Sequence, residues 1–294
     1  MNDSISPDVD TEWPVRRYRV EEGLELVGDV GGDAAAPAVV LLHGGGQTRH
    51  SWQGAMRQLV DHGYHVVNVD ARGHGDSDWS AEGNYSLSSM ARDVQQVVGT
   101  LSSKPALVGA SMGGAAAMYL LGLLDRTAAS ALVLVDIVPR VDTHGAARIA
   151  AFMRRNPQGF ATLDEVAAAV NAYNPQRRHP SSVSGLMRNL RRHSDGRLYW
   201  HWDPRFLNSP DRLEPAQFAQ QLTIAAAQVQ VPSLLVRGLQ SDIVSDEGVE
   251  DLKRRLPHLE VFDVPDAGHM VAGDRNDAFN AGLLAFLRSR MPGT

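Results

Sequence analysis

Gly109-Ala110-Ser111-Met112-Gly113 follows Lys104-Pro105-Ala106-Leu107-Val108, a short apolar segment of strand length opened by a proline. It precedes Gly114-Ala115-Ala116-Ala117-Met118-Tyr119-Leu120-Leu121, a run rich in helix formers. A G-x-S-x-G pattern between a strand and a helix predicts the tight turn that presents a serine hydroxyl at the edge of a sheet. Glycine is needed on both sides because such a turn strains the backbone and leaves no room for Cβ atoms. Ser111 is therefore a candidate nucleophile.

Outward from this turn, residues 16–138 alternate strand-like and helix-like segments. Residues 16–20 and 24–29 read as early strands joined at Glu22-Gly23, and 38–42 as a wholly apolar strand ending in His43-Gly44-Gly45-Gly46. A helix is expected around 51–62, a strand at 65–69 and a helix capped by Ser86 to about Leu101, with Asp93 on its face. A strand at 131–135 completes this half. Continuous apolar strands alternating with helices predict an α/β fold, a mostly parallel, doubly wound sheet. The rhythm breaks at 139–215, a stretch with several prolines, many arginines and clustered aromatics but no clear strand. It returns at 233–237, 245–255, 259–264 and 277–290. The division expected is a mobile tail over 1–15, a core domain over 16–138 and 216–294, and a helical insertion over 139–215.

Composition excludes several classes. The 294 residues carry a formal net charge of -6 and no long basic run, which argues against a nucleic-acid partner. With no cysteine, disulfides, thiolate metal sites and a cysteine nucleophile are impossible. No apolar run reaches the roughly 18–20 residues of a membrane span. The polar, acidic start, Met1-Asn2-Asp3-Ser4, is the opposite of a signal peptide. A soluble, cytoplasmic protein acting on a small molecule is expected.

A serine hydroxyl is a weak nucleophile near neutral pH, so Ser111 needs a base and a carboxylate to orient that base. Among 11 histidines, His269 stands in Asp266-Ala267-Gly268-His269-Met270, a loop directly after a strand and so at the sheet edge that carries Ser111. Asp242, in the loop after strand 233–237, is the preferred acid. Its rival is Asp136, immediately after strand 131–135. The oxyanion of an acyl transfer needs two donors, each worth roughly 3–4 kcal/mol in the transition state. The Met112 N–H supplies one, and the His43–Gly46 glycines the other, by position Gly45 with Gly46 as fallback.

The His43-Gly44-Gly45-Gly46 loop, Asp70-Ala71-Arg72-Gly73-His74-Gly75-Asp76-Ser77, the Ser111 turn, Asp242 and Gly268-His269 together resemble the α/β-hydrolase fold superfamily over nearly the whole chain. The order Ser111, Asp242, His269 is that of its catalytic triad, although some members place the acid where Asp136 stands. The resemblance implies that 139–215 is a cap between the sixth and seventh strands. It also implies that Asp70–Ser77 is a structural turn braced by its arginine, and that His43 holds the oxyanion loop by hydrogen bonding. Substrate contacts are expected from Gly46, Trp79, Met270 and the cap tryptophans Trp200 and Trp202, whose stretch 198–206 has the aromatic character of a pocket wall or a docking surface.

The activity expected is hydrolysis of a small or medium carboxylic ester, lactone or thioester through an acyl-enzyme on Ser111, with no metal and no organic cofactor. Carbon–carbon bond hydrolases and cofactor-free haloperoxidases or perhydrolases of the superfamily share Ser-Met-Gly-Gly. They typically carry asparagine or an aromatic residue where this chain has Ala110. Epoxide hydrolases and haloalkane dehalogenases need aspartate in place of Ser111. A ligand receptor on the same scaffold is the alternative outside catalysis, and such receptors usually have a damaged triad.

Overall fold

Strands built almost wholly from Val, Leu and Ala can bury both faces only between two layers of helices. The computed structural model describes residues 13–173, 183–211, 213–271 and 276–291. Its strands are β1 (Val15–Arg19), β2 (Glu25–Gly31), β3 (Ala38–Leu42), β4 (His65–Val69), β5 (Ala106–Ala110), β6 (Ala131–Val135), β7 (Leu190–Arg192), β8 (Leu198–Trp200), β9 (Ser233–Gly238) and β10 (Leu259–Val264). Eight of them form one sheet in the order β1-β2-β4-β3-β5-β6-β9-β10. The β1–β2 and β2–β4 pairs are antiparallel, and every pair from β4 to β10 is parallel. The expected α/β class and mostly parallel sheet are what the chain adopts.

The helices are α1 (Gln53–Asp61), α2 (Leu87–Val98), α3 (Met112–Tyr119), α4 (Thr143–Met153), α5 (Leu163–Tyr173), α6 (Val183–Met187), α7 (Pro215–Ala226), α8 (Asp246–Arg255) and, last, α9 (Asn276–Arg290). Strand side chains alternate between two apolar layers, as a period of two requires. Val40, Leu107, Leu132 and Leu134 pack with residues of α2, α3, α7 and α8. Val39, Leu41, Val108 and Val133 pack with residues of α1 and α9. Ser86 caps α2, its hydroxyl accepting the Ser89 N–H at 3.2 Å.

Helices α4, α5 and α6 fall in sequence between β6 and β9, where the insertion was expected. The expectation of no strand there is corrected. β7 and β8 form an antiparallel hairpin whose register pairs Leu190 with Trp200, and Leu198 bridges to Phe160. The turn sits at Gly196 (φ 81°), a conformation that glycine adopts without steric cost. Three-residue strands are too short for their alternation to show in a sequence. Residues 174–182 of the expected insertion and 1–12 of the expected tail lie outside the described residues.

The close approach of strand, turn and helix around Ser111 is visible in what its glycines touch. A Cβ on Gly113 would stand 2.5 Å from the Leu42 carbonyl oxygen, and one on Gly109 would stand 2.4 Å from the Gly114 nitrogen. Both obstacles are backbone, so the side chain could be admitted only by prising α3 from the sheet. Gly113→Ala is expected to lower stability by at least about 1–3 kcal/mol. Gly99→Ala, whose Cβ would meet its nearest neighbour at 3.4 Å, should stay within about 0.5 kcal/mol. Urea midpoints of the two variants check the difference; equal midpoints would contradict the tight packing.

Candidate active site

Ser111 has φ 44° and ψ −109°, outside the ordinary regions for an L-residue, a conformation costing about 1–3 kcal/mol. Its N–H donates to the Val135 carbonyl at 3.0 Å, and its own carbonyl accepts from Ala115 in the first turn of α3 at 2.9 Å. The serine is thus tied directly to the end of β6, where the next residue is Asp136.

Asp136, and not Asp242, meets His269. The His269 Nδ1–H donates to Asp136 Oδ2 at 2.7 Å. Asp136 is fully buried, and its oxygens also accept from the Gly238 N–H at 3.1 Å and the Ser241 hydroxyl at 2.5 Å. Like Ser111 it has a positive φ, 50°, which swings the carboxylate off the strand direction. Its N–H donates to Val236 at 2.8 Å and holds the turn against β9. The preference for Asp242 is corrected: its carboxylate pairs with Arg148 of α4 at 2.5 Å and remains about a third exposed. Gly145 of α4 lets the helix approach this loop, since a Cβ there would stand 2.1 Å from the Asp242 carbonyl oxygen. Asp242 follows the right strand, but its side chain is directed into the contact between core and insertion.

Strands β10 and β6 are separated by β9, so His269 must cross the end of β9 to reach Asp136. Gly238, the last residue of β9, makes that crossing possible: a Cβ there would stand 2.3 Å from the Ala267 oxygen and 2.4 Å from the Gly268 oxygen. The Gln240 N–H donates to the Ala267 carbonyl at 2.9 Å and fastens the loop from the other side. Gly238 and Ser241 were not anticipated from the sequence. The signal for both was their place in the loop after the strand that separates base from acid.

The His43–Gly46 loop is held by a chain of backbone anchors. The Gly44 carbonyl accepts from His43 Nδ1–H at 2.8 Å and from the Gln47 N–H at 3.1 Å. Because a trans peptide is planar, fixing that carbonyl aims the Gly45 N–H the opposite way. The Gly44 N–H donates to Gln47 Oε1 at 3.0 Å, and the Gly46 N–H to His74 Nε2 at 3.2 Å. Gly46, the fallback donor, is therefore already engaged. Among the described residues, the N–H groups of Gly45 and Met112 have no protein acceptor. A Cβ on Gly44 would lie 3.5 Å from the Ser111 Cβ, which puts this loop against the serine. The Gln47 amide also donates to Met270 Sδ at 2.9 Å and joins the loop to the residue after His269.

The insertion covers the loop with apolar side chains. A Cβ on Gly46 would meet Met153 at 3.2 Å and Trp202 at 3.5 Å, and one on Gly45 would meet Phe206 at 3.8 Å. Trp202 thus stands against the loop. Trp200 stacks behind it at 5.0 Å between ring centres, with Phe160 edge-on at 5.2 Å. Trp79 takes the Arg191 guanidinium on its ring at 5.3 Å. The 70–77 turn is braced internally: Arg72 forks onto Asp93 at 2.6 and 2.7 Å, and Arg49 binds Asp29, Asp70 and Asp76. Arg49 had given no signal in the sequence.

The family model for the alpha/beta hydrolase fold matches residues 37–275. This chain belongs to the alpha/beta hydrolase family and is an enzyme of that family. It is 30% identical over 257 residues to Esterase Rv0045c of Mycobacterium tuberculosis, covering 82% of this chain and 79% of that one. A crystal structure of that esterase superposes with a TM-score of 0.73 at 28% identity, over 95% and 92% of the two chains. The sn-1-specific diacylglycerol lipase ABHD11 of Mus musculus is 30% identical over 273 residues, 87% of this chain and 82% of the lipase. E-2-(Acetamidomethylene)succinate hydrolase shares the fold with a TM-score of 0.80 at 23% identity, over 94% of this chain and 99% of that one. Among the described residues, no helix is long and apolar enough to cross a membrane.

Three buried histidines around the loop are held neutral. His43 Nε2 accepts from the Ala71 N–H at 2.9 Å, His74 Nε2 from Gly46, and His201 Nδ1 from the Gly75 N–H at 2.7 Å. A protonated ring could accept none of these bonds. Burial pushes all three below the ordinary histidine value, His74 to about 3 and His201 well below 6.5. Between that folded value and about 6.5 the unfolded chain binds protons that the native protein refuses, so stability is complete above the unfolded pKa and falls as pH drops. For His74 the slope approaches about 1.4 kcal/mol per pH unit, and His43 and His201 add in the same direction. Urea unfolding from pH 6.5 to 5 should therefore show a steep loss of stability. A flat profile in that window would contradict neutral burial.

Proposed function

We propose that this enzyme is a serine hydrolase that cleaves a small or medium carboxylic ester, lactone or thioester through an acyl-enzyme on Ser111. The observation that carries the reading is the 2.7 Å bond from His269 Nδ1 to the buried Asp136, one residue beyond the strand end that holds the strained Ser111. Asp136 fixes the imidazole tautomer that leaves Nε2 as proton acceptor. Nε2 takes the Ser111 proton as Oγ attacks the carbonyl carbon, and the Gly45 and Met112 N–H groups receive the oxyanion. Each donor of this kind is worth roughly 3–4 kcal/mol in the transition state. Collapse of the tetrahedral species passes the proton from Nε2 to the leaving alcohol or thiol. Water then repeats the sequence on the acyl-enzyme and releases the acid.

That the similar proteins are an esterase and a diacylglycerol lipase supports an ester bond as the one cleaved. The insertion at 139–215 is read as a cap, and Trp202, Phe206 and Met153 as its wall over the oxyanion loop. That wall is apolar, which suits an uncharged acyl or alcohol group.

A fluorophosphonate probe should label the protein stoichiometrically and leave Ser111→Ala unlabelled with its fold intact; undiminished labelling of the variant would sink the assignment. With an aryl ester, Asp136→Asn should lower kcat by about 10³–10⁴ through loss of the correct tautomer. Asp242→Asn should stay within a few-fold of wild type. The reverse order of effects would return the acid to Asp242.

A further inference from the structure

His201 lies on the insertion, directly after β8, and is buried at the seam with the core. Its ring meets two separate core loops. Nδ1 accepts from the Gly75 N–H at 2.7 Å, so the ring proton sits on Nε2, which faces the Gly46 carbonyl at 3.4 Å. Two residues on, the Asp203 N–H donates to the Gly73 carbonyl at 2.9 Å. Segment 201–203 is thus laid along the 73–75 turn with its imidazole reaching past it to the oxyanion loop.

Gly46 needs such a hold. It has φ 73° and no side chain, and it closes a run of three glycines that would otherwise sample many conformations. Its N–H is fixed from the core by His74, whose Nδ1–H in turn donates to the Arg72 carbonyl at 3.1 Å. Its carbonyl faces only the insertion's His201 among the described residues' hydrogen bonds. The His74 ring lies between those of His43, at 5.3 Å, and His201, at 5.8 Å. Three imidazoles therefore grip successive points of one short loop, and only the last comes from outside the core.

We infer that His201 is a positioning residue: docking of the 201–203 segment clamps the Gly46 carbonyl and thereby holds the Gly45 N–H in place for the oxyanion. Seating the insertion and forming the oxyanion hole are then one event. The inference rests on the serine-hydrolase reading above. A misaligned hole weakens binding of the transition state far more than of the ground-state ester, so kcat carries the effect and KM does not.

The test uses the full chain with His201→Asn and His201→Gln. Asparagine places its amide oxygen near the Nδ1 position and can keep the Gly75 bond, but it is too short to reach Gly46. Glutamine places its amide nitrogen near Nε2 and can restore the clamp. Active sites are first titrated with a fluorophosphonate, and kcat and KM for a p-nitrophenyl ester are taken per titrated site. His201→Asn should lose roughly 10- to 100-fold in kcat with KM within about threefold, the size of effect a misplacement near 1 Å produces. His201→Gln should recover most of that loss. Undiminished kcat in His201→Asn, or equal losses in both variants, would overturn the inference. A wild-type protein that the probe fails to label would overturn the serine-hydrolase reading itself. A loss of thermal stability with kcat per titrated site unchanged would mark His201 as a structural contact only, against the proposal.

Discussion

The close contact between the end of β5 and the start of α3 is the constraint from which the site follows. Ser111 can hold its positive φ only because Gly109, Gly113 and Gly114 let backbone lie against backbone. That contact brings the first turn of α3 onto Leu42, the residue before the His43–Gly46 loop, and leaves the Met112 N–H at the helix start without an acceptor among the described residues. The same turn donates the Ser111 N–H to Val135 and so places the serine beside the residue that begins the loop after β6. Local strain of a few kcal/mol is sustained by the surrounding apolar layers, whose burial no single turn could supply.

Charge is handled differently in the two halves of the site. Around the 70–77 turn, ion pairs dominate, buried for Arg49 with Asp29 and Asp70 and for Arg72 with Asp93, and half-exposed on the Asp76 side of its pair with Arg49. Such pairs return little net stability after desolvation, but a missing partner is costly, so they enforce one geometry. Around the His43–Gly46 loop the fastenings are neutral imidazoles on backbone groups. A full positive charge on any of these buried rings would be poorly solvated. Neutral rings instead hold the glycines through hydrogen bonds to their backbone groups.

Much of the fold was legible in the sequence because its signals are local. Apolar runs such as Ala38–Leu42 and Ala131–Val135 announce buried strands, Ser86 announces a helix start, and the glycines around Ser111 announce a turn that only glycine can make. The β7–β8 hairpin was missed because three residues carry no measurable period. Asp242 and Asp136 could not be separated by position, since both follow strands of the parallel sheet. Their roles diverge through side-chain direction: Asp136 has a positive φ and three donors around a buried carboxylate, whereas Asp242 is drawn outward by Arg148 of α4. A salt-bridge partner 94 positions away leaves no local mark.

The sequence alone determined the chemistry that the chain can offer: a serine in a turn too tight for any side chain nearby, glycine N–H groups beside it, and no thiol. These follow from steric exclusion and composition, which act over a few residues. Only the tertiary structure decided which carboxylate meets His269, through a loop that crosses β9 at Gly238. It alone also showed that a histidine of the insertion reaches the glycine loop after β3. Both depend on contacts between segments 27 to more than 150 residues apart, whose geometry is set by packing of the whole sheet and its covering layers and not by any stretch of chain read by itself.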